Sequence, residues 1–226
     1  MIRVTENFRK IQDLLAKAAA DAKCPTDHIR LLAVSKTKPL EAILAAASVG
    51  QRDFGENFVQ EAVGKIAECG RDDLIWHFIG HLQANKTRAV AENFQWVHTV
   101  DRLKIARRLS EQRPCYAGDL NICIEVNVDA EENKSGVSPV DLPELAAAIA
   151  ELPRLRLRGL MCLPAIRHDF DAQRKPFAAL REMMESLQAS GLALDTLSMG
   201  MSADYAAAIY EGATIVRIGT ALFGAR

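Results

Sequence analysis

Hydrophobic positions along the chain follow two alternating patterns. Long segments carry apolar residues at helical spacing, as in residues 4–22, where Phe8, Ile11 and Leu15 recur three or four positions apart. Between such segments lie short apolar runs. The run at residues 31–35 is too short for a typical helix and predicts a buried strand.

This alternation continues to the end of the chain. Strands are predicted at residues 31–35, 53–55, 74–79, 96–100, 120–128, 155–163, 194–198 and 214–218. Helices are predicted at residues 39–50, 57–69, 85–94, 102–112, 142–151, 170–189 and 203–211, with a final turn at residues 219–224. Strict alternation of strands and helices indicates a parallel sheet covered by helices.

We expect an α/β fold, a single (β/α)8 TIM-type barrel domain over residues 1–226, with an extra N-terminal helix. Eight units in 226 residues give about 28 residues per unit, near the usual length for this barrel. The alternative is an open doubly wound sheet, whose dinucleotide-binding form places Gly-x-Gly-x-x-Gly after the first strand. Here residues 35–39 read Ser-Lys-Thr-Lys-Pro, without glycine.

Charge and composition argue against several classes of protein. The chain has 28 Lys and Arg against 29 Asp and Glu, so it lacks the basic excess typical of proteins that grip long nucleic acids. It has no signal-peptide core and no apolar stretch of about 18 residues, so we expect no membrane span. The five cysteines are scattered and form no Cys-x-x-Cys pair. This usage is typical of free thiols in a reducing compartment, and we expect a cytoplasmic protein.

Residues at the carboxyl ends of barrel strands face the functional site. Lys36 follows the first predicted strand directly, where partial desolvation favours the neutral amine that attacks a carbonyl. A Schiff-base lysine needs this environment, although an ordinary solvated lysine in a strand-to-helix loop is the alternative. Lys38 competes for the role, but it precedes Pro39 and is expected to point into the loop.

The last two strand ends resemble an anion site. Segments 198–202 and 218–221 are rich in small residues, which lets backbone N–H groups approach an anion. Alternatively, Ser202 is only a helix N-cap and the glycines serve turns. Arg217 lies within the apolar last strand, and a buried guanidinium needs a partner, for which an internal salt bridge with a barrel carboxylate is one candidate.

A metal site is not expected. His77 and His81 are four residues apart, but they stand on a strand end and lack the glutamate of His-Glu-x-x-His. The chain also contains no Gly-x-Ser-x-Gly, Walker or EF-hand motif.

Several of these strand ends together carry a family resemblance. The segments are AVSKTKP around Lys36, FGENFVQE around Asn57, WHFIGHLQANK, NVDAEENKSG, RGLMCLP, SMGMSADY and VRIGTALFG. In this order they resemble the pyridoxal phosphate homeostasis proteins, the YggS/PROSC family, over nearly the whole chain. The resemblance implies a barrel similar to the N-terminal domain of bacterial alanine racemase.

The resemblance also implies a cofactor and its ligands. The lysine of SKTKP, here Lys36, would hold pyridoxal 5′-phosphate as an imine, and the arginine of RIGT, here Arg217, would face the pyridine nitrogen. The serines and glycine of SMGMS and the Gly-Thr of RIGT would bind the phosphate. The full set of implied cofactor-binding residues is Lys36, Asn57, Ser198, Met199, Gly200, Ser202, Arg217, Gly219 and Thr220.

Two functions are compatible with this resemblance. The first is a non-catalytic protein that buffers or delivers pyridoxal phosphate, with apo enzymes that use this cofactor as partners and an indirect effect on amino-acid pools. The second is a low-activity amino-acid racemase. Alanine racemase has a second domain that completes a dimeric site and supplies a catalytic tyrosine. No tyrosine follows the last predicted strand here, so we expect the carrier, as a monomer, and no second acid/base group. A barrel that binds another phosphate ester would leave Lys36 unexplained.

Overall fold

Eight parallel strands close into a barrel within residues 2–131 and 134–224, the part of the chain that the computed structural model describes. Each strand pairs with the next one in the sequence, and the last pairs with the first. The expected barrel is therefore confirmed, and the doubly wound alternative is wrong.

The strands and helices alternate as the hydrophobic pattern predicts. The strands are β1 Arg30–Val34, β2 Asp53–Glu56, β3 Ile75–Phe78, β4 Trp96–Val100, β5 Leu120–Glu125, β6 Leu155–Met161, β7 Thr196–Met201 and β8 Ile215–Ile218. The α-helices are α1 Ile2–Asp21, α2 Leu40–Ser48, α3 Val59–Cys69, α4 Thr87–Asn93, α5 Leu103–Gln112, α6 Leu142–Ala150, α7 Phe170–Ala189, α8 Tyr205–Tyr210 and α9 Thr220–Phe223. None of the described helices is long and apolar enough to cross a membrane.

Three strands end two or three residues away from the predicted position, all on the side of the barrel that carries the candidate residues, and the other carboxyl ends agree to within one residue. The fifth strand stops before residue 128 because the backbone beyond Glu125 pairs with Val137 of the following loop. The sixth also ends two residues early, at Met161. The seventh continues past residue 198, because Gly200 adopts a φ of +88° that accommodates a shift in register with β8.

Two apolar layers hold the barrel together. A small cluster fills its interior and includes Leu32, Trp96 and Met161, while a larger cluster lies between the strands and the surrounding helices. On β8, Val216 and Ile218 belong to the outer cluster, so the intervening Arg217 points into the barrel.

The extra helix α1 packs on the last part of the barrel. Phe8, Ile11 and Leu15 are buried on one of its faces, as their spacing predicts. The Asn7 side chain donates to the carbonyl of Leu222 in α9 over 3.0 Å. Helix α1 therefore supports the short helix that follows the last strand.

Candidate functional site

A cavity of about 460 Å³ opens at the carboxyl ends of the strands. Six of the predicted site residues line it, namely Lys36, Asn57, Ser202, Arg217, Gly219 and Thr220. The remaining lining residues are mostly apolar: Val34, Ile79, Met161, Leu163, Met201 and Ala203. The cavity thus combines an apolar wall with a few convergent polar groups, as small-molecule sites commonly do.

Three predicted residues lie beside this cavity and do not line it. Ser198 is fully buried inside the barrel, and Met199 packs in the outer apolar cluster. A Cβ at Gly200 would lie 2.6 Å from the Cβ of Ala208, so a glycine is needed there to pack against α8. The structure therefore gives these residues packing and internal hydrogen-bonding roles, and their contact with a cofactor stays a prediction.

Lys36 and Lys38 have different surroundings. Lys36 lines the large cavity, and no hydrogen bond or ion pair within the described residues engages its ammonium. The Lys38 ammonium donates to the carbonyl of Gly224 over 2.9 Å and borders a smaller adjoining cavity. Lys36 is therefore the lysine placed to react with a molecule in the large cavity.

A buried polar cluster holds the backbone on both sides of Lys36. The Lys65 ammonium donates to the carbonyl of Ser35 over 2.9 Å, and the Ser35 hydroxyl donates to Glu56 over 2.7 Å. On the other side, the Thr37 N–H donates to Glu61 over 2.6 Å. Thr37 has a φ of +61°, which side chains of its kind rarely adopt without support.

Sequence reasoning did not identify this cluster. Glu61 and Lys65 occupy i and i+4 positions on α3, a spacing that suggests only a surface ion pair. Lys65 is nevertheless only 9% exposed, and it also lies 2.8 Å from the fully buried carboxylate of Glu56. Burial raises the pKa of Glu56, against the opposing effect of its hydrogen bonds with Lys65 and Ser35. Burying these charges costs desolvation free energy. The cluster is therefore a buried support for the backbone beside Lys36, and not a surface ion pair.

Arg217 is a buried cation bound by neutral groups. Its Nη1 donates to the carbonyl and the hydroxyl oxygen of Ser198 over 2.6 and 2.9 Å, and its Nη2 donates to the carbonyl of Cys162 over 2.8 Å. Within the described residues it forms no ion pair, so the barrel carboxylate considered from the sequence is not its partner. The guanidinium is therefore held at the cavity by three neutral acceptors.

Backbone donors converge at the ends of β7 and β8. The N–H groups of Ser202, Gly219 and Thr220 make no hydrogen bond within the part of the chain that is described. A Cβ at Gly219 would lie 3.3 Å from both the Cβ and the carbonyl oxygen of Val34, so the backbone packs closely there. Free donors and small side chains suit an anionic group.

Asn57 contributes a polar atom without a partner. Its Oδ1 is buried and accepts no hydrogen bond within the described residues. The backbone of Gly80 packs directly against the backbone of Asn57, because a Cβ at residue 80 would overlap with the carbonyl oxygen of Asn57. Asn57 also lines the cavity, so this unpartnered oxygen belongs to a residue of the candidate site.

Glu125 ends β5 near the same site. Its side chain makes no hydrogen bond within the described residues. Burial, with a smaller effect from Asp101, raises its pKa to about 7, and Arg217 opposes this rise. Nothing in the sequence pattern singled out this carboxyl group.

One motif of the resemblance is only partly visible. Residues 132 and 133 of NVDAEENKSG lie outside the described residues. In the visible part, Asp129 binds Arg167 over 2.6 Å, and this hydrogen bond holds the pKa of Asp129 below its usual range. The visible part therefore joins the loops after β5 and β6.

Comparisons with known proteins identify relatives over nearly the whole chain. The family model for the alanine racemase N-terminal domain matches residues 3–226. A pyridoxal phosphate homeostasis protein of Pseudomonas aeruginosa is 57% identical over 100% of this chain and 97% of its own length. The protein of the same name from Escherichia coli is 50% identical over 99% of this chain and 97% of its own length.

Solved structures extend the likeness to three dimensions. PipY of Synechococcus elongatus, solved with pyridoxal phosphate bound, is 38% identical, has a TM-score of 0.82, and is matched over 93% of this chain and 100% of its own. Alanine racemase of Corynebacterium glutamicum is 17% identical, with a TM-score of 0.74 over 99% of this chain and 61% of its own, and shares the fold. The chain belongs to the alanine racemase N-terminal domain family and, within it, to the pyridoxal phosphate homeostasis proteins.

Proposed function

We propose that this protein binds pyridoxal 5′-phosphate as an imine on Lys36 and acts in homeostasis of that cofactor, by buffering or delivering it. An effect on amino-acid pools would be indirect. One observation carries the proposal: a lysine without a partner, a buried arginine and unused backbone donors line the same cavity.

The residues fit the parts of the cofactor. When bound, pyridoxal phosphate supplies an aldehyde that condenses with an amine and a ring that withdraws electrons. Lys36 is the amine in the cavity, and Ser202, Gly219 and Thr220 offer donors to the phosphate. Arg217 offers a permanent donor to the ring nitrogen, as the family resemblance implies.

The lining of the cavity supports a non-catalytic role. Among the described residues that line the cavity, Lys36 and Arg217 carry the ionisable side chains, and an arginine stays charged in proteins. Racemisation needs a second acid/base group on the opposite face. An arginine on the ring nitrogen also disfavours its protonation and so weakens the ring as an electron sink.

The domain organisation, oligomeric state, compartment and partners are part of the same proposal. Residues 1–226 would form one domain that binds the cofactor as a monomer, in the cytoplasm, and passes it to apo enzymes that depend on pyridoxal phosphate. The five free cysteines support a reducing compartment. The balanced charge supports a small-molecule ligand and not a long nucleic acid.

Transfer and exchange experiments test the two functions against each other. Protein loaded with the cofactor should activate an apo pyridoxal-phosphate enzyme, and Lys36→Ala should lose this ability. In deuterated water with L-alanine, the loaded protein should give neither multiple turnovers of α-deuteration nor D-alanine. Rapid turnover that is lost in Lys36→Ala would support the racemase and contradict the carrier.

A further inference from the structure

A chain of hydrogen bonds runs through the barrel interior below the cavity. It starts at Arg217, which lines the cavity, and passes through residues of β7, β4 and β3 to the first residue of β2. Its links are Arg217 Nη1 to Ser198 Oγ at 2.9 Å, Ser198 Oγ to His98 Nδ1 at 2.7 Å, His98 Nε2 to His77 Nδ1 at 2.9 Å, and His77 Nε2 to Asp53 Oδ1 at 2.9 Å.

When both imidazoles are neutral, the two ends of this chain fix the direction of every link. A guanidinium can only donate and an ionised carboxylate can only accept. His77 must therefore donate from Nε2 to Asp53, which leaves its Nδ1 to accept from His98. His98 then accepts at Nδ1 from the Ser198 hydroxyl, whose lone pair accepts from Arg217. Every hydrogen has one place when both imidazoles are neutral and protonated at Nε2.

The surroundings favour these neutral forms. Both imidazoles are fully buried, and burial lowers the pKa of His77 and lowers that of His98 well below its ordinary value. His98 also faces the positive charges of Arg217 from β8 and Arg30 from β1. The Asp53 carboxylate of β2 faces His77, but Arg30 lies 3.4 Å from the same oxygen and offsets part of its charge.

We propose that His98 and His77 are positioning residues for Arg217, acting through the hydroxyl of Ser198. By accepting the hydrogen bond of the Ser198 hydroxyl, His98 turns a lone pair of the Ser198 oxygen toward the guanidinium. His77 in turn holds the tautomer of His98. The inference rests on the proposed function, in which Arg217 faces the ring nitrogen of the cofactor.

The consequence follows from the geometry of one hydroxyl group. If His98 gained a proton or changed tautomer, Ser198 would receive donors from both His98 and Arg217, and its own proton would point at neither partner. The two lone pairs of Ser198 would accept from both partners, but its own buried proton would have no acceptor, and this unfavourable arrangement would loosen the contact that orients Arg217. The neutral chain therefore keeps the donor of Arg217 aimed at the ring.

Nitrogen NMR of the full-length protein tests the chain itself, with and without added pyridoxal phosphate. Both buried imidazoles should appear as neutral Nε2–H tautomers and stay so from about pH 5.5 to 8.5, the range in which histidine commonly changes charge. The exposed His28, His81 and His168 serve as references in the same spectra. A buried imidazole that carries its proton on Nδ1, or is charged at neutral pH, would overturn the proposal.

Matched variants test the effect on the cofactor. Ser198→Ala and His98→Leu should release pyridoxal phosphate about tenfold faster and shift the visible absorbance of the bound form, because the first removes the hydroxyl that Arg217 contacts and the second removes the acceptor that orients this hydroxyl. Combined, the two changes should have little more effect than either alone. His98→Asn keeps an acceptor toward Ser198 and should restore most of the retention.

Ser110→Ala is the control. It removes an equally buried hydroxyl that bonds Pro153 far from the cavity, and should release the cofactor as the wild type does.

The outcomes separate this inference from the proposed function. If the wild type forms a borohydride-reducible adduct on Lys36, but the Ser198 and His98 variants match it in release rate and spectrum, the positioning role is wrong and the carrier stands. If the wild type forms no such adduct, the proposed function fails. The histidine tautomers measured by NMR then still test whether the hydrogen-bond chain reaches Arg217 as proposed.

Discussion

The ammonium of Lys65 lies 2.9 Å from the carbonyl oxygen of Ser35, the residue directly before Lys36. A helix of the second strand–helix unit thus holds the end of the first strand. Glu61, one turn earlier on the same helix, accepts from the N–H of Thr37, the residue directly after Lys36. The backbone of the candidate imine lysine is therefore fixed from both sides by one helix.

Removing the ammonium of Lys65 should strongly lower the free energy of unfolding. Lys65→Met leaves the buried carboxylate of Glu56 without its counter-charge, which typically costs about 3–5 kcal/mol. Urea unfolding followed by circular dichroism measures the loss. Lys17→Met is the control, because Lys17 is largely exposed and pairs only with an exposed Asp21. The double variant Glu56→Gln, Lys65→Met should recover part of the loss. If Lys65→Met lowered the free energy of unfolding as little as the control does, Lys65 would not hold the backbone beside Lys36.

Glu125 should make stability fall as the pH rises. Its pKa is raised from 4.5 to about 7, mainly by burial, so the folded state favours the protonated form. The resulting stability is fully present below about pH 4.5 and is lost as the pH rises through 7. Glu125→Gln should therefore stabilise the protein at pH 8 by up to about 3 kcal/mol, at about 1.4 kcal/mol per pKa unit, and have little such effect at pH 4.

Urea unfolding at both pH values measures this difference. Glu111→Gln provides the control, because Glu111 is exposed on α5 and makes no ion pair within the described residues. If the effect of Glu125→Gln were the same at pH 4 and pH 8, the raised pKa of this carboxyl group would be wrong.

A negative charge at Gly219 should weaken binding of pyridoxal phosphate. Gly219→Asp places a carboxylate among the proposed phosphate donors and a Cβ 3.3 Å from Val34. We expect the dissociation constant to rise at least about tenfold, since even one charge-assisted hydrogen bond contributes roughly 1.5–3 kcal/mol. Gly64→Asp adds the same charge on α3, where a Cβ meets nothing within 4 Å. If fluorescence titration gave equal affinities for the two variants, the phosphate would bind away from Gly219.

The barrel and the position of Lys36 could be predicted from the sequence because both depend on local patterns. Short apolar runs between amphipathic segments determine the order of strands and helices, and the carboxyl ends of parallel strands always meet on one side. The sequence also predicted a buried Arg217 in the last strand, and in the structure Val216 and Ile218 on either side of it face the helices.

What the sequence did not indicate depends on contacts between distant residues. Lys65 reaches Ser35 across thirty positions, and His98 reaches Ser198 across a hundred. The course of β7 past Ser198 also depended on the backbone of Gly200, whose neighbour Ala208 comes from another element. Charged residues on a helix and histidines in a strand have no local signature that distinguishes a surface or core role from support of a site.

The central claim is that Lys36 carries the cofactor, and one measurement tests it most directly. Protein incubated with pyridoxal 5′-phosphate is reduced with borohydride, digested and mapped by mass spectrometry. We expect a pyridoxyl-phosphate adduct on Lys36, and its loss in a folded Lys36→Ala variant, because a cavity-facing lysine supports no core packing. An adduct on Lys38 alone, or none on Lys36, would contradict the account.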